Sequence, residues 1–462
     1  MSKLKRSTLF YYSLTDLPIA MSLFPVIVFI PRFYASDVGV SLAMVGTIMF
    51  TVRIFDVITD PLMGYLSDHT RSRFGRRKPW IALATPIMMV SIYMLFMPPE
   101  GAGATHMLIW SMGLSVAITM MLIPYYAWGA ELSTDYHERS RVTGGRAMAG
   151  VLGSLTAQLV PAAALLLFDK GGSAVVLQLV GTTMLILMPV CVLLTLARTP
   201  EPDTYRKTAV PVVKGLKIMW QNGPFKRLVL AFMIGSLGLN ITTPLYLFFI
   251  ADVLGAEDKA IYMLTFFYLT SFAAVPFWVW LAGRIGKHRA YLAAFFVLAL
   301  AHPFYLLLGA GDFWWMLPIT LATGFASGGF SATLPNSMKA DVIDLDNLES
   351  GENRAAFFFS AWSFAQKATS SLGAAIAMFG LALFGFDAAP GASNGPDELF
   401  GVRFLFSTFP SLFFLTGAMI VWNYPITEAR HAEIRAALDA REAAGATASG
   451  GTVTPDQAGR TA

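Results

Sequence analysis

Long apolar runs recur along the whole chain, with only short polar segments between them. The predicted spans lie at 10–33, 42–67, 79–98, 106–130, 145–168, 174–197, 226–250, 261–283, 290–310, 313–338, 355–385 and 402–424. A helix needs about 20 apolar residues to cross a hydrocarbon core of about 30 Å, and these runs reach that length. A lipid-exposed backbone must form its hydrogen bonds within its own segment, so runs this long favour helices over barrel strands. The pattern predicts an all-α polytopic membrane protein with twelve transmembrane helices.

Composition excludes a soluble enzyme. Hydrophobic residues make up 55% of the 462 residues and charged residues only 13%, whereas soluble domains average about 25% charged residues. The net charge of +4 gives no basis for a nucleic-acid partner. The single cysteine, Cys191, excludes a disulfide framework, and six scattered histidines do not indicate a metal centre. No phosphate-binding loop is present either, so we expect no cofactor and no ATP-driven pump.

Lysine and arginine concentrate in alternate loops, and this asymmetry sets the orientation. The loop after the second span alone contains five of them: Arg71, Arg73, Arg76, Arg77 and Lys78. The loops of the other side contain only four: Arg32, Lys170, Lys259 and Arg403. Because basic loops stay in the cytosol, we predict a multi-pass protein of the cell (inner) membrane with both termini cytosolic. An even number of spans agrees with that orientation.

A basic, proline-containing segment separates the spans six and six. We therefore predict an N-terminal six-helix half at 1–198, a cytosolic linker at 199–225 and a C-terminal six-helix half at 226–427. The remaining residues, 428–462, form a cytosolic tail that begins with a helix from Glu428 to Arg441 and is partly disordered.

Two loops recur six spans apart, as expected for parallel six-helix repeats. The loop from Gly64 to Arg77 is echoed by the loop from Gly283 to Arg289, and both combine glycine with clustered positive charge. A second echo links the acidic and basic residues after span four with those after span ten, from Asp341 to Arg354. The alternative is that basic cytosolic loops resemble one another without a common repeat.

The loop Gly64-x-x-x-Asp68-x-x-Arg71-x-Arg73-x-Gly75-Arg76-Arg77 resembles the loop 2–3 motif of the major facilitator superfamily. A closer resemblance is to the glycoside–pentoside–hexuronide:cation symporters, the melibiose permease family. It rests on five segments: Arg53 to Gly64, Arg73 to Trp80, Ile123-Pro124-Tyr125, Glu131 to Arg146, and Ala340 to Asp344 followed by Lys367. The resemblance implies a major facilitator fold and cation-coupled symport by alternating access.

Several ionisable residues lie inside the predicted spans, where each costs at least about 2.5–3.5 kcal/mol and is a functional candidate by default. Asp56 and Asp60 stand one turn apart on the face that also carries Arg53. At about 1.5 Å per residue from Asp68, they lie roughly 18 and 12 Å deep. Lys367 lies at a similar depth in span eleven, about 20 Å by the same rise.

Two desolvated carboxylates one turn apart repel each other, and a bound cation or a shared proton relieves that repulsion. Pro61 removes a helical hydrogen bond and frees a carbonyl oxygen beside them, while Thr59 and Thr119 offer hydroxyl oxygens. We predict a Na⁺ or H⁺ site there. The alternative is a structural network in which Asp56 pairs with Arg53 and Asp60 with Lys367, without a transport role. In a mixed interpretation, Lys367 holds the carboxylates when the cation is absent and couples the two halves.

The resemblance also implies functions for individual residues. It implies that Asp56, Asp60 and Thr119 belong to the cation site, that Lys367 adjoins it, and that Asp16, Tyr126 and Arg146 line the substrate site. We further predict that Asp68, Arg71, Arg73, Arg76 and Arg77 form a cytosolic gate.

The predicted partner is a small molecule, a sugar or glycoside, transported by a chain that is embedded in membrane lipid and is a monomer. The permeases of the family have an aspartate where this chain has Leu122, and the melibiose permease has asparagine where this chain has Thr59. The lysophospholipid:Na⁺ symporters share both departures, so a lysophospholipid is the alternative substrate. A membrane-embedded lipid enzyme is a third alternative, for which the chain provides neither a nucleophile nor a metal cluster.

Overall fold

The computed structural model describes residues 4–132, 136–168, 172–201, 222–351, 355–389 and 392–450. The described residues contain helices and no strand, as the apolar runs predict. The α-helices are α1 Arg6–Ser13, α2 Asp16–Val28, α3 Ile30–Ser36, α4 Leu42–His69, α5 Lys78–Phe96, α6 Ala104–Glu131, α7 Tyr136–Phe168, α8 Ser173–Arg198, α9 Gly223–Phe248, α10 Ala260–Ile285, α11 Lys287–Ala301, α12 Met316–Gly328, α13 Leu334–Ser350, α14 Ala355–Leu383, α15 Pro396–Phe406, α16 Thr408–Val421 and α17 Glu428–Gly450.

Ten segments of the described chain are long and apolar enough to cross a membrane. The two other predicted spans correspond to α12 with α13, which are joined by a π-helical turn at Gly329–Thr333, and to α14. With 29 residues, α14 is about 43 Å long, which exceeds the thickness of the hydrocarbon core. The architecture is therefore consistent with twelve transmembrane segments.

The first predicted span, expected as one helix at 10–33, is divided into shorter helices. Its helix is interrupted at Leu14–Thr15, so that α2 begins at Asp16, and the segment that follows Val28 forms the separate helix α3. The interruption lies beside a predicted substrate-site residue, and Asp16 is buried. An acidic side chain in the first turn of a helix is also favoured by the helix dipole.

Two apolar cores divide the molecule unevenly. The first combines the helices before residue 199 with residues 241–264, 305–316 and 377–406 of the second half, whereas the second core contains residues of the second half alone, from Phe225 to Leu438. The most extensive described contacts between the halves run along four helix pairs, α4 with α14, α7 with α10, α2 with α9 and α3 with α9. The residues of the second half that join the first core lie at the end of the bundle that carries Arg32 and Asp252, which we call the opposite face. The other end, which carries Asp68 and Arg77, is called the basic face.

Beyond the spans, α17 continues past the helix end expected at Arg441. Ile434 and Leu438 lie one turn apart and are buried in the second core, so the tail helix packs against the bundle through one apolar stripe. Most of the predicted linker, residues 202–221, lies outside the described residues, as do residues 451–462 of the tail.

Candidate cation and substrate sites

The two carboxylates of α4 contact two hydroxyl groups of α6. Asp56 is 4% exposed and accepts a hydrogen bond from Ser115, and Asp60 accepts one from Thr119 Oγ1 at 2.9 Å. Arg53 Nη1 lies 3.2 Å from Asp56 Oδ2, so the guanidinium balances that carboxylate from the same helix. Ser115 was not predicted from the sequence, because a serine in an apolar run carries no signal of what it faces.

Lys367 brings the second half into this site. Its ammonium donates to Asp60 Oδ2, so that Asp60 is held between Thr119 of the first half and Lys367 of the second. The side chains of Lys367 and Asp60 are 41% and 24% exposed. The pair is therefore accessible on one side, unlike Asp56, and a cation that reaches Asp60 competes with the ammonium.

Thr59 takes a different position from Thr119. Its hydroxyl donates to the main-chain oxygen of Phe55 at 3.2 Å and approaches that of Asp56 at 3.4 Å. A hydroxyl that donates to its own helix keeps its lone pairs available, so Thr59 remains a candidate ligand only through them. Pro61 lies within α4 next to these residues, and its missing N–H leaves the carbonyl one turn earlier without its helical donor.

The predicted substrate residues form a second cluster in the first half. Arg146 Nε lies 2.8 Å from Asp16 Oδ2, and the guanidinium carbon lies 3.7 Å from the centre of the Tyr126 ring. Tyr126 is 44% exposed. The cluster thus presents an acceptor, a fork of donors and an aromatic face together, a combination suited to hydroxyl-rich or charged headgroups.

Two buried tyrosines fix Asp16. Tyr125 donates its hydroxyl to the Tyr12 carbonyl at 2.7 Å and lies 3.3 Å from Asp16 Oδ2, while Tyr12 donates to the Tyr125 carbonyl at 2.7 Å. A Cβ atom at Gly129 would lie 2.0 Å from the Tyr12 hydroxyl, so only glycine leaves room for that ring. Glycine is required in the same way at Gly153, where a Cβ would lie 2.1 Å from a main-chain oxygen of α2.

At the basic face, Arg77 is the centre of a polar network. It lies 2.6 Å from Asp68 Oδ1, 2.7 Å from Glu131 Oε1 and 2.7 Å from the Ser67 hydroxyl, and it is buried. Burial alone would lower the pKa of Arg77, but the hydrogen bonds and charges of Glu131 and Asp68 raise it above its ordinary value. The guanidinium is therefore cationic and ties α4, α5 and α6 together.

Glu201 explains the glycine of the loop motif. Its carboxylate accepts the main-chain N–H groups of Arg76 at 2.6 Å and Arg77 at 2.7 Å. A Cβ atom at Gly75 would lie 2.0 Å from Glu201 Oε2, and Gly75 has a φ of +101°, which side chains rarely adopt. Glycine is therefore required both by the left-handed backbone and by the approach of the carboxylate.

The other residues of the predicted gate differ from Arg77. Arg71 and Arg73 are exposed, and Arg73 lies against the ring of Phe74 with 4.7 Å between guanidinium carbon and ring centre. Arg76 lies 3.5 Å from Glu131 Oε2. The described ion pairs of this cluster join residues of the first half to one another, so its role as a gate between the halves stays a prediction.

Charged residues at the opposite face join the two halves. Arg32 of α3 is buried and pairs with Asp252, which lies in a π-helical turn after α9, and its second amino nitrogen lies 3.5 Å from Glu257 Oε2. Ser173 at the start of α8 donates to Glu257 Oε1 at 2.7 Å. The sequence marked Arg32 only as one of few basic residues on its side and gave no indication of its partners.

The family model described as "MFS/sugar transport protein" matches residues 11–428. The chain belongs to this family. The match confirms the resemblance to the cation symporters of the major facilitator superfamily, and a transporter as the class of protein. It also makes the chain a multi-pass membrane protein.

Relatives of this family member include a lysophospholipid symporter and carriers of sugars or glycosides. The mouse sodium-dependent lysophosphatidylcholine symporter 1 is 25% identical over 435 residues, covering 85% of this chain and 80% of the relative. The isoprimeverose transporter of Lactiplantibacillus pentosus is 26% identical over 380 residues, covering 79% and 78%. The glucuronide carrier protein homolog of Escherichia coli K12 is 24% identical over 454 residues, covering 94% and 96%.

Solved structures agree on the fold. The nucleoside transporter NupG superposes with a TM-score of 0.66 at 13% identity, covering 91% of this chain and all of that chain. At this identity the likeness shows the major facilitator fold and carries no information on the substrate.

Proposed function

We propose that this protein is a symporter of the cell membrane that couples the uptake of a small polar or amphiphilic substrate to Na⁺ or H⁺. The basic face lies in the cytosol because it carries most of the loop lysines and arginines. Both chain termini then lie in the cytosol as well. The observation that best supports this proposal is the contact of Lys367 with Asp60, because it joins a carboxylate of the first half to an ammonium group of the second.

The mechanism follows from charge balance. Without a cation, Asp60 is neutralised by an ammonium group of the other half, and Asp56 by Arg53. A cation bound between the carboxylates takes over that role and releases Lys367, which changes the contact between α4 and α14. Among the described residues, the second half joins the first core at the opposite face alone, which supports a conformation open to the cytosol. Outward opening requires that the pairs of Arg32 with Asp252 and Glu257 separate.

The substrate is assigned to the cluster of Asp16, Arg146 and Tyr126. A sugar or glycoside is the first candidate, because a carboxylate and a guanidinium satisfy neighbouring hydroxyl groups and the exposed ring of Tyr126 offers a stacking face. A lysophospholipid is the second, favoured by the sodium-dependent relatives and by Leu122 at the position where the permeases have an aspartate.

Thermal stability of the purified protein tests the cation site. A ligand at a hundredfold excess over its dissociation constant stabilises the folded state by about 2.7 kcal/mol. We expect Na⁺, or a fall in pH, to raise Tm of the wild type at constant ionic strength, and Asp60→Asn to lose this response. Asp258→Asn, which removes an exposed carboxylate of the opposite face, is the matched control and keeps it. An Asp60→Asn variant that takes up substrate with the wild-type cation requirement would refute the assignment.

A panel of ligands tests the substrate. We expect the cation-dependent shift in Tm to increase with one glycoside, and to be lost in Arg146→Ala. An increase with lysophosphatidylcholine alone would replace the sugar by a lysophospholipid. Uptake into proteoliposomes driven by a cation gradient then decides between symport and simple binding.

A further inference from the structure

The cation site contains a regular arrangement of paired residues on α4 and α6. Ser115 follows Asp56 by 59 residues in the sequence, and Thr119 follows Asp60 by the same 59. The same interval joins Gly64 with Ile123, where a Cβ atom at the glycine would lie 4.0 Å from Ile123 Cγ2. A constant interval means that the two helices run parallel and in register, so that two hydroxyl–carboxylate pairs stack one turn, about 6 Å, apart.

We call each hydroxyl–carboxylate pair a row. The hydroxyl groups of these two rows differ from other hydroxyl groups of the spans in the acceptor to which they donate. Thr85 donates to the Ile81 carbonyl at 2.8 Å, and Ser371 donates to the Lys367 carbonyl at 2.7 Å, which satisfies each hydroxyl within its own helix. Ser115 and Thr119 instead donate across to α4. The side chain of Asp56 is 6% exposed and that of Asp60 is 24% exposed, so the carboxylate that Ser115 contacts is more buried than the one that Lys367 reaches.

A hydroxyl group that donates to a carboxylate still has lone pairs for a cation. Hard cations prefer oxygen ligands, and several of them must surround the ion, whereas a proton needs one carboxylate oxygen. Ser115 and Thr119 with Asp56 and Asp60 provide oxygens from four side chains in two adjacent rows. The mouse and human sodium-dependent lysophosphatidylcholine symporters, which are relatives of this chain, independently support Na⁺ as the cation.

We infer that Ser115 is a further cation ligand and that its oxygen selects Na⁺ over H⁺. The inference rests on the proposed function and deepens it. A site that offers only the two carboxylates can accept a proton, whereas the hydroxyl oxygen of Ser115 adds a ligand that a metal ion needs. Thr119 binds the cation together with Asp60, after Lys367 has left that carboxylate. Ser115 binds it together with Asp56, which Lys367 does not contact.

The test compares four variants by the Na⁺ concentration that gives half of the maximal thermal stabilisation. Ser115→Ala removes the oxygen, and Ser115→Cys keeps the size of the side chain but replaces oxygen by a soft sulfur. We expect both to raise that concentration about tenfold or more, as loss of a buried polar partner does. Ser115→Thr retains the hydroxyl and is expected to bind Na⁺ as the wild type does. Ser111→Ala, one turn earlier on α6 in the row of the apolar Val52, is the matched control.

The same variants are assayed for uptake driven by a proton gradient without Na⁺. We expect the ratio of proton-driven to Na⁺-driven uptake to rise in Ser115→Ala, since both carboxylates remain while one Na⁺ ligand is lost. Wild-type Na⁺ affinity in Ser115→Ala and Ser115→Cys, or an equal loss in Ser111→Ala, overturns the role of Ser115 while the carboxylate site stands. A wild-type protein that neither Na⁺ nor a change of pH stabilises overturns the proposed function as well, so the two failures are distinguishable.

Discussion

The pair formed by Lys367 and Asp60 predicts that removing the positive charge of Lys367 increases the affinity of the site for a cation. In Lys367→Met, the carboxylate keeps Thr119 but loses the ammonium that competes with a cation. The variant should be less stable than the wild type without cation, because a partly buried carboxylate has lost its counter-charge. Saturating Na⁺ should restore most of that stability.

The exposure of the two side chains sets the magnitude. Breaking a buried ion pair costs about 3–5 kcal/mol, and an exposed pair contributes about 0.2–1 kcal/mol. With 41% exposure at Lys367 and 24% at Asp60, we place the interaction between these limits, at about 2 kcal/mol. Since every 1.4 kcal/mol is a factor of ten, the half-saturating Na⁺ concentration should fall about 30-fold.

The assay is thermal unfolding in detergent over a series of Na⁺ concentrations at fixed ionic strength and pH. A double-mutant cycle with Asp60→Asn isolates the pairwise interaction from other effects of each change. Lys259→Met removes an exposed lysine of the opposite face and is the control for net charge. If Lys367→Met binds Na⁺ as the wild type does or more weakly, Lys367 does not compete with the cation, and the coupling role assigned to it is wrong.

Three further predictions concern the faces and the packing. Arg32→Ala should open the opposite face, so that a reporter cysteine placed there is labelled faster; an unchanged labelling rate would contradict its role in closure. Arg77→Ala should lower the free energy of unfolding by about 2 kcal/mol, because it removes a buried guanidinium and leaves the partly covered carboxylate of Glu131 with a weaker counter-charge, whereas Arg71→Ala, at an exposed position, should leave Tm unchanged. Gly153→Ala should reduce substrate affinity because the methyl group meets the main chain of α2 beside Asp16, while Gly144→Ala, with open space around it, should raise stability by up to about 1 kcal/mol.

The sequence by itself determined the helical class, the location of the spans and the residues whose charge is costly inside a membrane. These follow from properties of the chain that do not depend on its packing: the length of an apolar run, and the period that places Asp56 and Asp60 on one face of a helix. The resemblance of the loop motif and of the segment from Arg53 to Gly64 then extended this to a family, which the match over residues 11–428 confirms.

Only the tertiary structure decided which of these residues meet. Asp60 and Lys367 are 307 residues apart, so their pairing was one of several alternatives from the sequence, and Arg32 and Asp252, 220 apart, were not paired at all. Both contacts depend on how the two halves pack. Ser115 carries no charge that would mark it in an apolar run, and it meets Asp56 because α4 and α6 lie parallel and in register. The helix break before Asp16 and the carboxylate of Glu201 beneath Gly75 were equally invisible, because local propensity describes a helix and its loops one at a time, whereas a polar site inside a membrane is built from side chains of several helices.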